Sequence, residues 1–289
     1  MILVTGANGI TGRAIIQNLL SKGEEVRALV HNVEQIEKLK SLGTIEVVAG
    51  DMLNQETMNR AFKGVQSVYH VCSAINPDEV KIGQIAINAA LTNKIEHLVY
   101  HSALHSVLQD MPHHQKKLMV EGLLVNSGIP YTIIQPAMYM QNLLESLKSA
   151  AKTGILHQMF YTTKETRMCL VDLYDVAEVA AIVLTKPYHK LATYEICGPE
   201  NLSLADMLDH MEKQFGREIK NETATGEQNF AAQEAHKVGD YKADTLLKMI
   251  NHYRKSGFTG NSNVCEWILG KKPNDFSSFL SKIMQIKLK

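Results

Sequence analysis

The sequence MILVTGANGITGRAIIQNLL, residues 1–20, begins with four apolar residues that run directly into three evenly spaced glycines. The apolar run is typical of a short buried strand, and after Gly12 the apolar residues follow a helical spacing. The stretch therefore predicts a strand, a glycine loop and a helix. Because the first turn of a helix has unpaired N–H groups, we expect this loop to bind an anion such as phosphate.

The remainder of the first half repeats this alternation of strands and helices. Alternating, nearly continuous apolar strands are typical of a parallel sheet covered on both faces, with ligands at the carboxyl ends of the strands. The sequence therefore predicts an α/β protein with a Rossmann-type doubly wound parallel sheet. The five further predicted strands are residues 24–30, 44–50, 65–72, 95–103 and 129–136.

The glycine pattern G-x-x-G-x-x-G stands in the first βα unit, which is the context that dinucleotide binding requires. Gly6 would permit the tight turn, Gly9 the approach of the pyrophosphate, and Gly12 the packing of the helix against the strand. The alternative is a purely structural turn. The other predicted cofactor contacts of this loop are Thr5, Asn8, Ile10, Thr11 and Arg13.

The residues after the second predicted strand bear on the choice of dinucleotide. A carboxylate there would bind the ribose of NAD and repel a 2′-phosphate, whereas this chain has His31 and Asn32. Arg13 follows the last glycine of the loop and adds a donor for phosphate. The pattern favours NADP(H) over NAD(H), although Glu34 is close enough to reverse the preference.

Two further strand ends are predicted to contact the cofactor. Asp51, with Met52 beside it, follows the third strand and would bind an adenine amino group. A turn or helix cap is the alternative role of Asp51. After the fourth strand, Cys72, Ser73 and Ala74 would approach the ribose through their backbone.

The pattern changes after about residue 143, where a strand entry and apolar helix (168–184), a strand (194–198) and an amphipathic helix (204–216) follow. We predict an NAD(P)-binding domain over residues 1–150 and a smaller substrate or cap domain over 151–289. Part of residues 165–190 is expected to return to the first domain.

Composition excludes some classes of partner. The 289 residues include 30 basic and 30 acidic side chains, which gives no basis for binding nucleic acid or a charged membrane surface. Since no apolar run reaches membrane-spanning length and the glycine loop begins at residue 5, we expect a cytoplasmic protein. The four cysteines show no disulfide or metal-ligand spacing, and the sequence leaves a homodimer open.

Several longer motifs carry a more specific resemblance. They are VTGANGITG, GDM, KLMVEGLLVNSGIPYTIIQPAMYMQNLL, VDLYDVAEVAAIVL, YEICGPENLSLADML and the closing INHYRKSGFTGNSNVCEWILGKKPNDFSSFL. In order and spacing they resemble the NmrA-like family of atypical short-chain dehydrogenases/reductases over most of the chain. The resemblance implies a Rossmann domain with a small C-terminal substrate domain, a preference for NADP(H), and either reduction of quinones and other aromatic substrates or redox-sensing regulation.

The resemblance also implies catalytic residues. Lys117 matches the family lysine and would hold the nicotinamide ribose, and Ser102 stands at the place of the catalytic serine. The tyrosine of ordinary short-chain dehydrogenases is replaced by His113, which disfavours alcohol dehydrogenase and epimerase chemistry. His113 shares a helix face with Lys117 and is a candidate acid with a near-neutral pKa. Its alternative is a polar surface position, and that of Ser102 is a turn or helix cap.

The segment PAMYMQN follows the sixth predicted strand. Pro136 is predicted to line the nicotinamide, and Met138, Tyr139 and Asn142 to form the substrate pocket, although the methionines would serve equally as core filling. Quinone reduction can rest on positioning alone. We therefore expect an NAD(P)H-dependent oxidoreductase that reduces a quinone-like or other aromatic small molecule by direct hydride transfer, without a catalytic tyrosine. The alternatives are a non-catalytic redox sensor for a protein partner and a nucleotide-sugar epimerase.

Overall fold

The computed structural model describes residues 1–44, 46–158, 166–223 and 240–286. Within these residues the strands are β1 Ile2–Val4, β2 Val26–Val30, β3 Glu46–Ala49, β4 Ser67–His70, β5 His97–His101, β6 Tyr131–Pro136, β7 Met138–Tyr139, β8 Ile155–Gln158, β9 Arg167–Val171, β10 Ala192–Ile196, β11 Asn201–Ser203 and β12 Lys220–Thr223. The α-helices are α1 Ile10–Ser21, α2 Ile36–Lys40, α3 Gln55–Phe62, α4 Glu79–Thr92, α5 Pro112–Val125, α6 Leu144–Thr153, α7 Leu173–Thr185, α8 Leu204–Phe215, α9 Asp240–Ser256, α10 Asn263–Leu269 and α11 Phe276–Ile286.

Seven strands form the main sheet in the order β10-β6-β5-β4-β1-β2-β3. Strands β1 to β6 are all paired in parallel. Ile2 of β1 pairs with Val26 on one side and with Ser67 on the other, so the strand order reverses at β1. This is the doubly wound, Rossmann-type sheet that the sequence predicts, with its switch point beside the glycine loop.

The strand sequences are apolar because both faces of the sheet are covered. Every residue of β1, β2 and β5 is buried, which is why these segments are nearly continuous apolar runs rather than alternating ones. Phe62 of α3 and Tyr100 of β5 belong to one buried cluster. Burial of each large apolar side chain stabilises the fold by about 1.5–3 kcal/mol.

The chain divides into two compact units. Unit 1 comprises Met1–Val107, His113–Gln135 and Val176–Tyr194, and unit 2 comprises Leu108–Pro112, Pro136–Asp175 and Glu195–Lys289. The division at residue 150 is therefore corrected to Gln135. Residues 136–150 leave unit 1 because β7 pairs with β9, in unit 2. Part of residues 165–190 does return to unit 1, within the segment Val176–Tyr194.

Unit 2 contains two small sheets, of order β11-β9-β7 and β12-β8. Its helix α8 begins with a capping box, in which Ser203 Oγ accepts from the Asp206 N–H and Asp206 accepts from the Ser203 N–H. The helix ends at Gly216, whose φ of +66° is readily adopted by glycine. Among the described residues, none of the helices is long and apolar enough to cross a membrane.

Candidate functional site

The glycine loop joins β1 to α1, and steric contacts require two of its glycines. Gly6 has a φ of +55°, and a Cβ there would lie 2.5 Å from the carbonyl oxygen of Val71. A Cβ on Gly12 would lie 2.5 Å from the Gly6 carbonyl oxygen and 2.8 Å from Ala7 Cα. At Gly9 the nearest atom, the Gly6 carbonyl oxygen, would be 3.3 Å away. Gly6 and Gly12 therefore shape the loop, whereas Gly9 leaves its outer surface open.

This open surface fits a phosphate. Gly9 is the N-cap residue of α1 and supplies no side-chain cap, and the first turn of α1 has no acidic residue. The N–H groups of that turn and the positive end of the helix dipole thus meet no competing anion within the loop. Ile10 is exposed and Thr11 is half-buried beside it. The loop fits the pyrophosphate of a dinucleotide.

Thr5 braces the loop through its side chain. Its hydroxyl donates to the Val71 carbonyl at 3.0 Å and accepts from the Val71 N–H at 2.9 Å. The same oxygen lies 3.0 Å from Nδ1 of His70. Because Thr5 is fully buried, its side chain holds the end of β1 against β4, a role that the glycine pattern alone did not predict.

Arg13 and His31, the residues predicted to favour a 2′-phosphate, have different surroundings. Arg13 donates from Nε to the Asn8 carbonyl at 2.9 Å and from Nη2 to Asn8 Oδ1. A guanidinium carries five N–H donors, so Arg13 keeps further donors for a ligand. His31 follows β2 directly and is exposed, as is Glu34.

The loop after β3 forms a turn. Asp51 Oδ1 accepts from the Leu53 N–H at 2.9 Å, and the side chain is exposed. This is the turn-forming role considered above for Asp51, and it leaves an exposed carboxylate for the predicted adenine contact. Met52 packs against the core cluster of unit 1.

The segment after β4 combines a buried thiol with a strained backbone. Cys72 is buried, whereas Ser73 and Ala74 are exposed. Ile75 has a φ of +53°, which is unusual for a β-branched residue and costs about 1–3 kcal/mol. Such strain is often found at ligand-binding segments, and the exposed backbone of Ser73 and Ala74 agrees with the predicted contact to a ribose.

Lys117 is part of a buried ion pair. Its Nζ donates to Glu79 Oε1 at 2.7 Å and to the His101 carbonyl at 2.9 Å. Glu79 also accepts from the Tyr100 hydroxyl at 2.7 Å and from the Cys72 thiol. The Lys117 ammonium lies 5.1 Å from the centre of the Tyr100 ring. Side chains from α5, β5 and the segment after β4 therefore meet at one carboxylate of α4.

The pair remains charged despite its burial. Burial opposes ionisation of Glu79, but the Lys117 charge and the three donated hydrogen bonds outweigh it and lower the pKa of Glu79. Burial likewise opposes the charge on Lys117, but Glu79 outweighs it and raises the pKa of Lys117. Burial and the adjacent Glu79 raise the pKa of the Cys72 thiol, so this cysteine is a neutral donor and not a thiolate.

Ser102 directly follows β5 and contacts a second buried carboxylate. Its hydroxyl donates to Glu121 Oε1, which also accepts from Gln135 Nε2 at 2.9 Å. Ser106 donates to Glu121 Oε2 at 3.1 Å. The hydroxyl proton of Ser102 is thus directed at Glu121, and its oxygen keeps lone pairs that can accept a hydrogen bond.

His113 lies near the start of α5, in phase with Lys117, as predicted. Burial, with His114 and Lys117 nearby, lowers its pKa to about 3. The expectation of a near-neutral pKa is corrected, because desolvation disfavours the imidazolium. His113 is neutral at pH 7, so its role as an acid remains a prediction that its pKa does not support. Its Nδ1 and the Nε2 of His70 are buried with no hydrogen-bond partner among the described residues.

The predicted substrate residues all lie in unit 2. Pro136 ends β6 and is buried, while Met138 and Tyr139 form β7, opposite Leu170 and Val171 of β9. Both side chains are half-buried, and Asn142 is exposed in the 3₁₀ turn that follows. Met138 is therefore not a fully buried core residue.

Sequence reasoning missed four polar residues of unit 1, namely Glu79, Tyr100, Glu121 and Gln135. Glu79 had one available signal, because it stands in phase with the buried residues Ile82 and Ala86 on the apolar face of α4. A carboxylate at such a position needs a buried partner.

The parallel sheet, the switch point and the glycine loop define a Rossmann-type α/β protein with a dinucleotide-type phosphate loop. The model of the NmrA-like family matches residues 1–279. The chain belongs to the NmrA-like family.

Two relatives cover nearly the whole chain. The NAD(P)H azoreductase of Xenophilus azovorans is 26% identical over 281 residues, which is 96% of this chain and 96% of that protein. Quinone oxidoreductase 2 of Escherichia coli K12 is 23% identical over 288 residues, 99% of each chain.

Solved structures share the same fold. The NADPH-dependent quinone oxidoreductase QOR2 of Escherichia coli, in complex with NADPH, has a TM-score of 0.85 at 23% identity and covers 98% of this chain and 100% of that one. Triphenylmethane reductase of Citrobacter sp., in complex with NADP(H), has a TM-score of 0.85 at 21% identity and covers 98% and 99%. At these identities the similarity establishes the fold.

Proposed function

We propose that this chain is an NAD(P)H-dependent reductase that transfers hydride directly to a quinone-like or other aromatic small molecule. The observation that carries the proposal is the open helix N-terminus at Gly9, in a chain whose full-length relatives are named as azo and quinone reductases. The nicotinamide would supply the hydride. NADP(H) is the proposed preference, because Arg13 keeps free donors and no carboxylate stands at the end of β2.

The residues of unit 1 are suited to binding the cofactor and less suited to donating a proton. The neutral state of His113 at pH 7 gives it little capacity to act as an acid. A reduced quinone is a stable anion that water can protonate, so holding donor and acceptor in a reactive geometry would carry most of the rate. Azo compounds and triphenylmethane dyes, after which two of the similar proteins are named, are likewise conjugated aromatic molecules.

Met138 and Tyr139 are the proposed substrate contacts. They follow β6 after one intervening residue, and both are half-buried. Methionine adapts its shape to flat ligands, and a tyrosine ring can stack on them. Asn142 would add a polar contact.

The test is a titration of the protein with NADPH and with NADH, followed by a panel of quinones and azo dyes. We expect tight binding of NADPH and rapid loss of its absorbance when an aromatic acceptor is added. Met138→Ala and Tyr139→Ala should raise the KM of the acceptor by roughly 5- to 30-fold, as lost contacts of about 1–2 kcal/mol require. Met119→Ala, at an exposed methionine of α5, is the matched control.

The outcomes separate the alternatives. Tight binding without turnover for any acceptor would contradict the reductase and favour the redox sensor. A sensor must bind NADP⁺ and NADPH with different affinities. Turnover with unchanged KM in both variants would disprove the proposed substrate contacts while leaving the reductase intact.

A further inference from the structure

We propose that Glu79 is a positioning residue: its carboxylate, held by Tyr100 and Cys72, fixes the Lys117 ammonium so that one N–H is left to donate to a ribose hydroxyl of the nicotinamide nucleotide. This inference rests on the proposed function. Glu79 lies at the start of α4, outside the glycine loop and 38 residues before Lys117 in the sequence.

The geometry of Lys117 leaves one donor uncommitted. An ammonium has three N–H groups, and two of them serve Glu79 and the His101 carbonyl. Within the described part of the chain, Lys117 Nζ has no further acceptor. The two acceptors lie on different elements, α4 and the end of β5, so together they determine the direction of the third N–H.

Glu79 is itself fixed on both carboxylate oxygens. Oε1 accepts hydrogen bonds from Lys117 and Tyr100, and Oε2 accepts one from the Cys72 thiol. The side chain is 3% exposed. A buried ion pair adds little net stability compared with apolar residues, so burial of this pair at the carboxyl ends of β4 and β5 is better explained by a role in the site. Ligands of such sheets bind at those ends.

The surroundings of Lys117 define a pH test. Its charge depends on Glu79, because burial alone would lower the pKa of a lysine. In Glu79→Gln the ammonium loses its counter-charge, becomes neutral at a lower pH, and ceases to be a cationic donor. The titratable groups that act on or lie near Lys117 are Glu79, Cys72, Tyr100, Glu121, His70, His101 and His113.

The experiment measures the Kd of NADPH between pH 6.5 and 9.5 by its fluorescence. We expect little change in the unmodified protein. In Glu79→Gln we expect a Kd that rises as the pH passes the lowered lysine pKa, by about 10- to 100-fold in total, as the loss of one hydrogen bond from a charged group requires, and that returns when the pH is lowered again. Glu79→Asp keeps the charge and should remove most of this pH dependence.

Three controls isolate the effect. ADP lacks both the nicotinamide and the ribose that carries it, so its Kd should be the same in Glu79→Gln and in the unmodified protein. Glu46→Gln removes the carboxylate of another ion pair of unit 1, with Arg27 at 2.7 Å, and should leave both affinities unchanged. In a Lys117→Met background, Glu79→Gln should have no additional effect on the NADPH affinity.

Several results would overturn the inference. An unchanged, pH-independent NADPH affinity in Glu79→Gln would do so, as would an equal loss of ADP affinity, which indicates a merely structural role. If Glu79→Gln does not fold, Tyr100→Phe removes one anchor of Glu79 and should still raise the NADPH Kd severalfold; an unchanged Kd would disprove the positioning role. Failure of the unmodified protein to bind NADPH would refute the proposed function as well.

Discussion

The guanidinium of Arg13 is folded back onto Asn8, with one hydrogen bond to the backbone carbonyl and one to the side-chain amide oxygen. This contact ties the first turn of α1 to the residue before Gly9. Arg13 therefore stabilises the shape of the glycine loop and still has donors for a phosphate.

The first prediction concerns the contribution of Arg13 to cofactor choice. Arg13→Ala should raise the Kd of NADPH by about 10- to 100-fold, the loss expected for hydrogen bonds to a charged group. The Kd of NADH should change by less than about threefold, because NADH has no 2′-phosphate. Equal losses for both cofactors would show that Arg13 only braces Asn8.

The second prediction separates the two roles of the loop glycines. Gly12→Ala places a Cβ against backbone atoms and should lower the free energy of unfolding by about 1–3 kcal/mol. Gly9→Ala has an ordinary φ of −70° and a nearest contact of 3.3 Å, so its stability should change by less than about 1 kcal/mol.

Chemical denaturation and NADPH titration of these two variants provide the measurement. Gly9→Ala should lose cofactor affinity in a fully folded protein, because its methyl group covers the open end of α1. If Gly9→Ala bound NADPH normally, the proposed pyrophosphate site would be wrong.

The third prediction is that acid destabilises unit 1 through buried neutral histidines. Burial lowers the pKa of His70 and His97 to about 4 and that of His101 and His113 to about 3. The unfolded chain binds these protons near pH 6.5, so it binds more protons than the folded chain between pH 6.5 and about 3. Stability should therefore fall as the pH is lowered through this window.

The measurement is the urea midpoint of the protein as a function of pH. His101→Asn should reduce the steepness of the acid loss, whereas His31→Asn, at an exposed position, should not change it. An unchanged slope in His101→Asn would contradict the assignment of a neutral imidazole.

The fourth prediction concerns Asp175 in unit 2, whose contribution to stability falls as the pH rises, whereas that of the buried histidines falls as the pH is lowered. Burial raises its pKa to about 6, although it accepts from the Asn274 backbone N–H at 2.7 Å and from its side-chain amide at 2.9 Å. The folded chain therefore binds this proton more tightly than the unfolded chain. Its contribution to stability should be complete below about pH 4 and should be lost as the pH rises to about 6.

A comparison with Asp175→Asn isolates this contribution. The difference in unfolding free energy between the unmodified protein and Asp175→Asn should decline from pH 4 to pH 6 and remain constant above it. Asp244→Asn, on the exposed face of α9, is the matched control. A difference that did not vary with pH would show that Asp175 titrates normally in the folded protein.

Much of the fold was predictable because local sequence determines it. All six predicted strands of the first half are present, and each is shortened by one or more residues. The second, for example, begins at Val26, because Glu24 and Glu25 belong to the short connection that follows the turn at Lys22 and Gly23. The position of β10 was not predictable, since apolar periodicity does not specify that residues 192–196 pair with β6.

The candidate site was predictable only in part, for a related reason. The family resemblance, together with strand ends and helix spacing, predicted Ser102, His113 and Lys117. Their partners Glu79 and Glu121 depend on tertiary packing, and the pKa of His113 depends on burial that its neighbours in sequence do not determine. Sequence patterns thus locate side chains along an element, whereas desolvation and partners arise from the fold.

The position of β10 in the sheet has a consequence for biosynthesis. Strands β1 to β6 are complete once the first 136 residues are made, but the outer edge of β6 remains unpaired until residues 192–196 follow. An exposed apolar edge is prone to association with other chains. The nascent chain therefore passes through a period of about 60 residues of translation, at 5–20 residues per second, in which a chaperone that covers the edge of β6 would protect it from aggregation.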